Sequence, residues 1–373
     1  MGSAGAQAAH GGSGVTVAGD WPERALADIL HRVDVTRAEV GARFPLFADP
    51  DTGRWKTTSR GSWTGGFWAG LLWLRARHTG HEADRAVASA CTARLAGWVE
   101  ADTVTRGLIL WYGTALAVND RSAQELRNRA ARACLAALEP ELGLVPWGSA
   151  FGGPRLLARV DGVPGTVPLL ASVGVEGAAA AASHLHRHID LCRVDGSVVP
   201  ALRFEPGTGW RPCDDPPPGW SRGRPWLLLA VADALHQPRT TQWNHQRLEA
   251  TAAGLVAART GLPRWGVPPA DEGQPDSPQD TSAAAITAVA LLKLSRVAGP
   301  RAAEYSSRAL AILDHLVASH LTGPAGARPA GMLLNGCYDA GRSVAVRHEL
   351  IWGDFFLALG LAALTGLIDI RTV

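Results

Sequence analysis

The sequence predicts an all-α protein, an (α/α)6 barrel in which six inner helices are ringed by six outer ones. Three observations carry that expectation. Val, Ile and Thr alternate only in short runs, while Ala- and Leu-rich stretches with helical spacing recur. Six of these stretches are apolar almost throughout, and they alternate with six that carry Arg, Glu and Asp at the spacing of a solvated face. A helix packed on every side must be apolar all round, whereas one packed on a single side keeps a polar face. An open solenoid would not explain so uniformly apolar an inner set.

The elements follow in order. An amphipathic segment at 23–41 opens the barrel, and "WTGGFWAGLLWLRARHTG" from Trp63 is the first inner helix. Outer segment 82–101 leads to "RGLILWYGTALAV" from Arg106, and 121–138 to "PGTVPLLASVG" from Pro164. Outer segment 176–191 precedes "RGRPWLLLAVADALHQ" from Arg222, and 241–258 precedes "DTSAAAITAVALLKLSRVAG" from Asp280. Outer segment 301–320 precedes the last inner helix, "ELIWGDFFLALGLAALTG" from Glu349. Polar loops rich in Gly, Pro, Trp and Asp fall at 44–61, 143–163, 196–221, 262–279 and 324–348, most of them before an inner helix. The inner N-termini therefore gather at one mouth, where free N–H groups and helix dipoles suit an anionic ligand.

The 373 residues are 47% hydrophobic and 19% charged, enough to bury a sizeable core as one barrel domain over 21–373. Residues 1–20, rich in Gly, Ala and Ser, read as a disordered tail rather than a signal peptide. A net charge of +2 gives no nucleic-acid or membrane footprint, and no long uncharged apolar run reads as a membrane span. Five cysteines are dispersed without a CxxC pair, which favours a reducing, cytoplasmic setting. Tryptophan is the outlier: 14 Trp stand against 7 Phe and 3 Tyr. Its flat face stacks on sugar C–H groups and its N–H bonds hydroxyls, so a carbohydrate site competes with ordinary core packing as the explanation.

The inner N-termini offer Trp63 and Trp68, Arg106 and Trp111, Asp161, Trp220, Arg222 and Trp226, Asp280, then Trp352 and Asp354. Asp161, in "ARVDGVPGTVPLL", is the best acid candidate. Its alternative is a helix cap, weakened because Pro164 lacks the N–H that a cap at Asp161 would bind. Asp280 in "QDTSAAAI" carries a strong capping signal. Asp354 sits within an apolar helix, so it must be hydrogen-bonded or line the cavity. His184, His186 and His188 in "HLHRH" point to different helix faces, which favours a structural role over a metal site.

The motifs "SWTGGFWAGLLWL", "VDGVPGTVPLL", "WSRGRPW", "QDTSAAAITAVALLKLSR" and "LIWGDFFLALGL" stand in the order seen in unsaturated glucuronyl hydrolases, glycoside hydrolase family 88, which the chain resembles over about residues 22–366. The unsaturated rhamnogalacturonyl hydrolases of family 105 share the barrel. The resemblance implies removal of a terminal 4,5-unsaturated uronic acid from an anionic oligosaccharide. It places the catalytic acid at Asp161 and substrate contacts at Trp63, Trp68, Trp220, Arg222 and Trp226. Arg106, Trp111, Asp280, Tyr338 and Trp352 complete the expected binding set. One carboxylate serves as acid and then base, so neither metal nor redox cofactor is expected. The chain departs from the family where a His-Asp pair usually opens the second inner helix. Here "TVTRGLILWYG" puts Thr105 and Arg106, leaving Asp102 as the nearest acid. The loop before "WSRGRPW" lacks the usual His, with Asp214 and Asp215 nearby, and "CYDAGRSVAVRHEL" also lacks one. Arg106 in place of an acid implies a more anionic ligand or a different sugar. The competing expectations are a divergent sugar-processing or tailoring enzyme and a non-catalytic sugar-binding protein on the same barrel.

Overall fold

The computed structural model describes residues 19–194, 196–257 and 266–373. The expected tail lies outside them up to residue 18. Eleven α-helices stand in the described residues: α1 Trp21–Val40, α2 Gly65–Thr79, α3 Glu82–Ala93, α4 Arg121–Ala136, α5 Thr166–Ala171, α6 Val175–Cys192, α7 Gly223–Leu235, α8 His245–Ala257, α9 Thr281–Leu294, α10 Ala302–His320 and α11 Ile351–Leu364. A π-helical turn, Gly107–Trp111, fills the remaining inner place.

The inner ring closes on itself. α2 packs on the π turn, the π turn on α5, α5 on α7, α7 on α9, α9 on α11, and α11 back on α2. Outside it, α3, α6, α8 and α10 lie against α2, α5, α7 and α9, with α4 against the π turn and α5, and α1 against α2 and α11. This is the (α/α)6 barrel the sequence predicts. Burial follows the same division: every residue of α9 is buried, as are twelve residues of α11 from Ile351 to Ala362, whereas α4 buries only Ala123, Leu126, Ala130, Ala131 and Cys134.

The second and third inner places are shorter than their apolar runs predict. Gly107 explains why. Its Cα lies so close to the start of α5 that a Cβ would sit 2.2 Å from the Thr166 amide nitrogen. Facing it, Gly165 adopts φ +70°, a left-handed conformation that side chains rarely take. The π turn widens the coil at this crossing, and such turns arise where a helix accommodates an extra residue.

Four of the five segments expected as polar loops, all but 262–279, carry short antiparallel strands among the described residues. β1 Phe44–Ala48, β2 Trp55–Thr58, β8 Gly336–Asp339 and β9 Val344–Leu350 form one sheet in the order β2-β1-β9-β8. β3 Leu157–Arg159, β6 Ala201–Glu205 and β7 Gly209–Pro212 form a second, and β4 Arg193–Val194 pairs with β5 Ser197–Val198. Each inner helix is followed by an outer one that returns the chain, so these strands collect at the inner N-terminal end and build the wall of the mouth.

Candidate active site

Asp161 does not cap a helix. It lies in a 3-10 turn, Val160–Gly162, and α5 begins after Gly165. The Arg159 guanidinium takes its carboxylate in a two-pronged contact, Nε to Oδ1 at 3.0 Å and Nη2 to Oδ2 at 2.9 Å. Strand β3 sends Arg159 to the same side as the turn that follows it, and the guanidinium lies 4.2 Å from the centroid of the Trp147 ring. Part of both side chains stays open to solvent, 18% for Arg159 and 16% for Asp161.

The turn is held from behind by α6. Buried His184 accepts the Val145 N–H on Nδ1 at 3.1 Å and approaches the Gly162 carbonyl through Nε2 at 3.3 Å. That pair of contacts defines a neutral imidazole with its proton on Nε2. Burial drives His184 well below its ordinary range and His188 down to about 4. His184 thus supports the Asp161 turn as uncharged packing, with His188 behind it at 4.4 Å between ring centroids, and no group of His, Cys, Asp and Glu suited to a metal occurs among the described residues.

A second group of expected residues meets on the opposite part of the wall. Trp63 stands 4.9 Å from Trp352 between ring centroids and donates from Nε1 to the Tyr338 hydroxyl at 3.2 Å. Tyr338 closes the triangle 5.3 Å from Trp352. The Arg222 guanidinium lies between Trp220 at 4.9 Å and Trp352 at 5.7 Å. Trp63, Trp220 and Tyr338 keep partial exposure, while Trp352 is buried and its Nε1 has no hydrogen-bond partner.

Arg222 and Asp280 are committed to each other. Arg222 bonds Asp280, the Cys337 carbonyl and the Tyr338 carbonyl, and Ser221 Oγ donates to the same Asp280 oxygen at 2.8 Å. Asp280 also caps α9 through the Ser282 N–H and hydroxyl. These two residues form a buried latch that ties α7, α9 and β8 together beneath the aromatic wall.

Several expectations are corrected. Arg106 turns away from the mouth: Nη2 donates to the Ala101 carbonyl at 2.6 Å and Nη1 to Ala133 of α4 at 3.3 Å. The extra positive charge inferred for the mouth is therefore spent on main-chain carbonyls between the rings. Trp111 lies under Arg127 of α4 at 5.8 Å, because the π turn points that end of the element outward. Trp68 and Trp226 are core residues, the latter edge-on to Phe356, since each lies about a turn into its helix, below the rim. Asp102 does not reach in as a second acid. It accepts from Ser149 N and Oγ and pairs with Arg155 at 3.3 Å. Asp354 lines no opening: burial and then the neighbouring Glu349 raise its proton affinity well above that of an ordinary carboxyl. Asp215 bonds Arg342 at 2.8 Å, which brings the tip of the β8–β9 hairpin to the loop beside Arg159.

Sequence reasoning missed Arg159, Trp147 and Ser221. The signal for Arg159 was its place two residues before Asp161 in a strand-like "LAR", where alternation returns a side chain to the same face.

No family model matches the chain. A curated relative, the unsaturated glucuronyl hydrolase of Bacillus sp. (strain GL1), is 24% identical over 370 residues, covering 90% of this chain and 94% of the relative. Over nearly its whole length, the chain is similar to unsaturated glucuronyl hydrolases. The Bacillus sp. GL1 crystal structure, of an enzyme described as responsible for glycosaminoglycan degradation, superposes with a TM-score of 0.77 at 22% identity, covering 92% of this chain and 96% of that one. An unsaturated glucuronyl hydrolase specific for heparin gives 0.78 at 20% identity, covering 95% and 100%. One from Streptococcus agalactiae gives 0.79 at 19% identity, covering 94% and 92%. The barrel seen here is the barrel of these enzymes.

Proposed function

We propose that this chain is a glycoside hydrolase that acts on oligosaccharides ending in a 4,5-unsaturated uronic acid, with Asp161 as the acid and then the base. The observation that carries this reading is the placement of Asp161. A carboxylate stands at the rim on the turn that enters the third inner helix, partly open to solvent and braced by the neutral His184. The full-length likeness to enzymes of that activity supports it.

In this chemistry Asp161 delivers a proton to C4 of the enol-ether double bond. Positive charge develops at C5. Water adds there and gives its proton to the Asp161 carboxylate, which restores the acid. The resulting hemiketal opens and releases the next sugar. A single carboxylate completes the cycle, whereas ordinary glycoside hydrolysis needs two across the bond. Trp63, Trp220 and Tyr338 offer the partly exposed aromatic surface on which the sugars stack. Arg222 and Asp280 hold that wall in shape.

Reaction in heavy water tests the assignment. Hydrolysis of an unsaturated disaccharide is expected to leave one deuterium at C4 of the product, read by NMR. A product with hydrogen only at C4 contradicts proton delivery from an exchangeable acid.

A further inference from the structure

Asp161 presents a difficulty as an acid. Both of its oxygens accept from the Arg159 fork, which takes one lone pair of each and leaves a transferable proton only the outer positions. Departure of the fork opens the rest. The proposed substrate carries a carboxylate of its own, with the same shape and charge as the group the fork now holds.

We propose that Arg159 is the receptor for the substrate's carboxylate, and that its fork passes from Asp161 to the uronate as the sugar docks. This rests on the hydrolase reading above. Three other arginines near or expected at the mouth are already engaged. Arg222 has given its donors to Asp280 and to the carbonyls of Cys337 and Tyr338. Arg106 has given two of its nitrogens to the carbonyls of Ala101 and Ala133. Arg342, at the hairpin tip, is 71% exposed and paired with Asp215, and an exposed pair discriminates weakly. Arg159 has an aromatic platform and a side-chain carboxylate partner and keeps 18% of its side chain open at the rim, whereas Arg222, similarly flanked, is 4% exposed and holds two main-chain carbonyls besides Asp280.

Trp147 fixes the plane of the guanidinium, so a small rotation of the side chain can trade one carboxylate for another without losing the stack. Once released, Asp161 has an oxygen free to carry a proton. That proton is the one delivered to C4. Binding of the correct anionic sugar thereby arms the acid.

The test compares an unsaturated uronyl disaccharide with its methyl ester, which keeps the double bond and loses the charge. Wild-type protein is expected to favour the acid in kcat/KM by about 10- to 100-fold, the span of a charge-assisted pair of hydrogen bonds. Arg159→Met is expected to erase that preference, mostly through KM for the acid. Arg159→Lys, which keeps charge without the fork, is expected to retain part of it and serves if the Met variant does not fold. Full preference in either variant overturns the assignment. A second arm separates this from failure of the hydrolase reading. Equilibrium binding of methyl glucuronide and methyl glucoside needs no turnover: wild type is expected to favour the acid and Arg159→Met to bind both alike. Equal binding by wild type overturns the receptor role even if hydrolysis occurs. Preferential binding of the acid with no hydrolysis of any unsaturated sugar leaves Arg159 assigned and overturns the hydrolase reading.

Discussion

Arg222 shows how a residue can be correctly noticed and differently employed. Flanking tryptophans marked it as part of a sugar-facing cluster, and those tryptophans do enclose it. Its charge, however, is buried against Asp280 and main-chain carbonyls. Removing one partner of a buried ion pair strands the other, at a cost of about 3–5 kcal/mol. Arg222→Met is therefore expected to lower the thermal midpoint strongly, with the sugar affinity of the surviving folded protein changed much less. Calorimetry with and without sugar separates the two effects. Asp161 was legible because an isolated carboxylate in an apolar run followed by proline demands a reason. Arg159 was harder to read: its place two residues before Asp161 hints at a shared face, but an arginine is ordinary at a surface and only the fold shows which carboxylate it meets.

Helices were legible as elements, since burial on all sides and burial on one side leave different patterns in sequence. The predicted outer segment 121–138 corresponds to α4 at Arg121–Ala136, and the predicted 301–320 to α10 at Ala302–His320. The mouth strands were not legible. They run two to seven residues, too short for alternation to show, and depend on partners far along the chain such as β1 with β9. The shortening of the second inner helix was also hidden, because it reflects contact between Gly107 and α5. Gly107→Ala is expected to destabilise by about 1–3 kcal/mol through overpacking, seen as a lower denaturant midpoint with an unchanged slope.

A second element-scale effect lies where α1 meets α11. Buried Arg32 grips Glu349 through two nitrogens, and Glu349 in turn contacts Asp354, whose Oδ1 accepts the Leu333 N–H at 3.3 Å. Burial raises both carboxyls above their ordinary range. A carboxyl raised on folding binds more protons folded than unfolded, so stability is full below its ordinary titration range and declines as pH rises through the raised one. Denaturation of wild type is expected to show that decline above the ordinary carboxyl range. Asp354→Asn, neutral at every pH, is expected to flatten it. An unchanged slope in the variant assigns the pH dependence elsewhere.

At the scale of the whole molecule, the closed ring sets what can move independently. α11 packs on both α9 and α2, and α1 on both α2 and α11, so the two ends of the barrel share one core. At the far end from the mouth, Lys293 of α9 bonds Asp233 of α7 and the Val373 carbonyl, adding a buried tie across the ring. A single calorimetric transition with equal calorimetric and van't Hoff enthalpies is expected. Two resolved transitions would divide the barrel into separate units.

The central claim is that Asp161 removes an unsaturated sugar by hydrating its double bond. Ultraviolet absorbance of the conjugated C=C bond reports that step directly. With a panel of unsaturated disaccharides, wild-type protein is expected to abolish the absorbance of at least one, and Asp161→Asn, folded to the same thermal midpoint, is expected to leave it intact. Absorbance that persists with every disaccharide, or that the Asn variant removes as fast as wild type, would contradict the account.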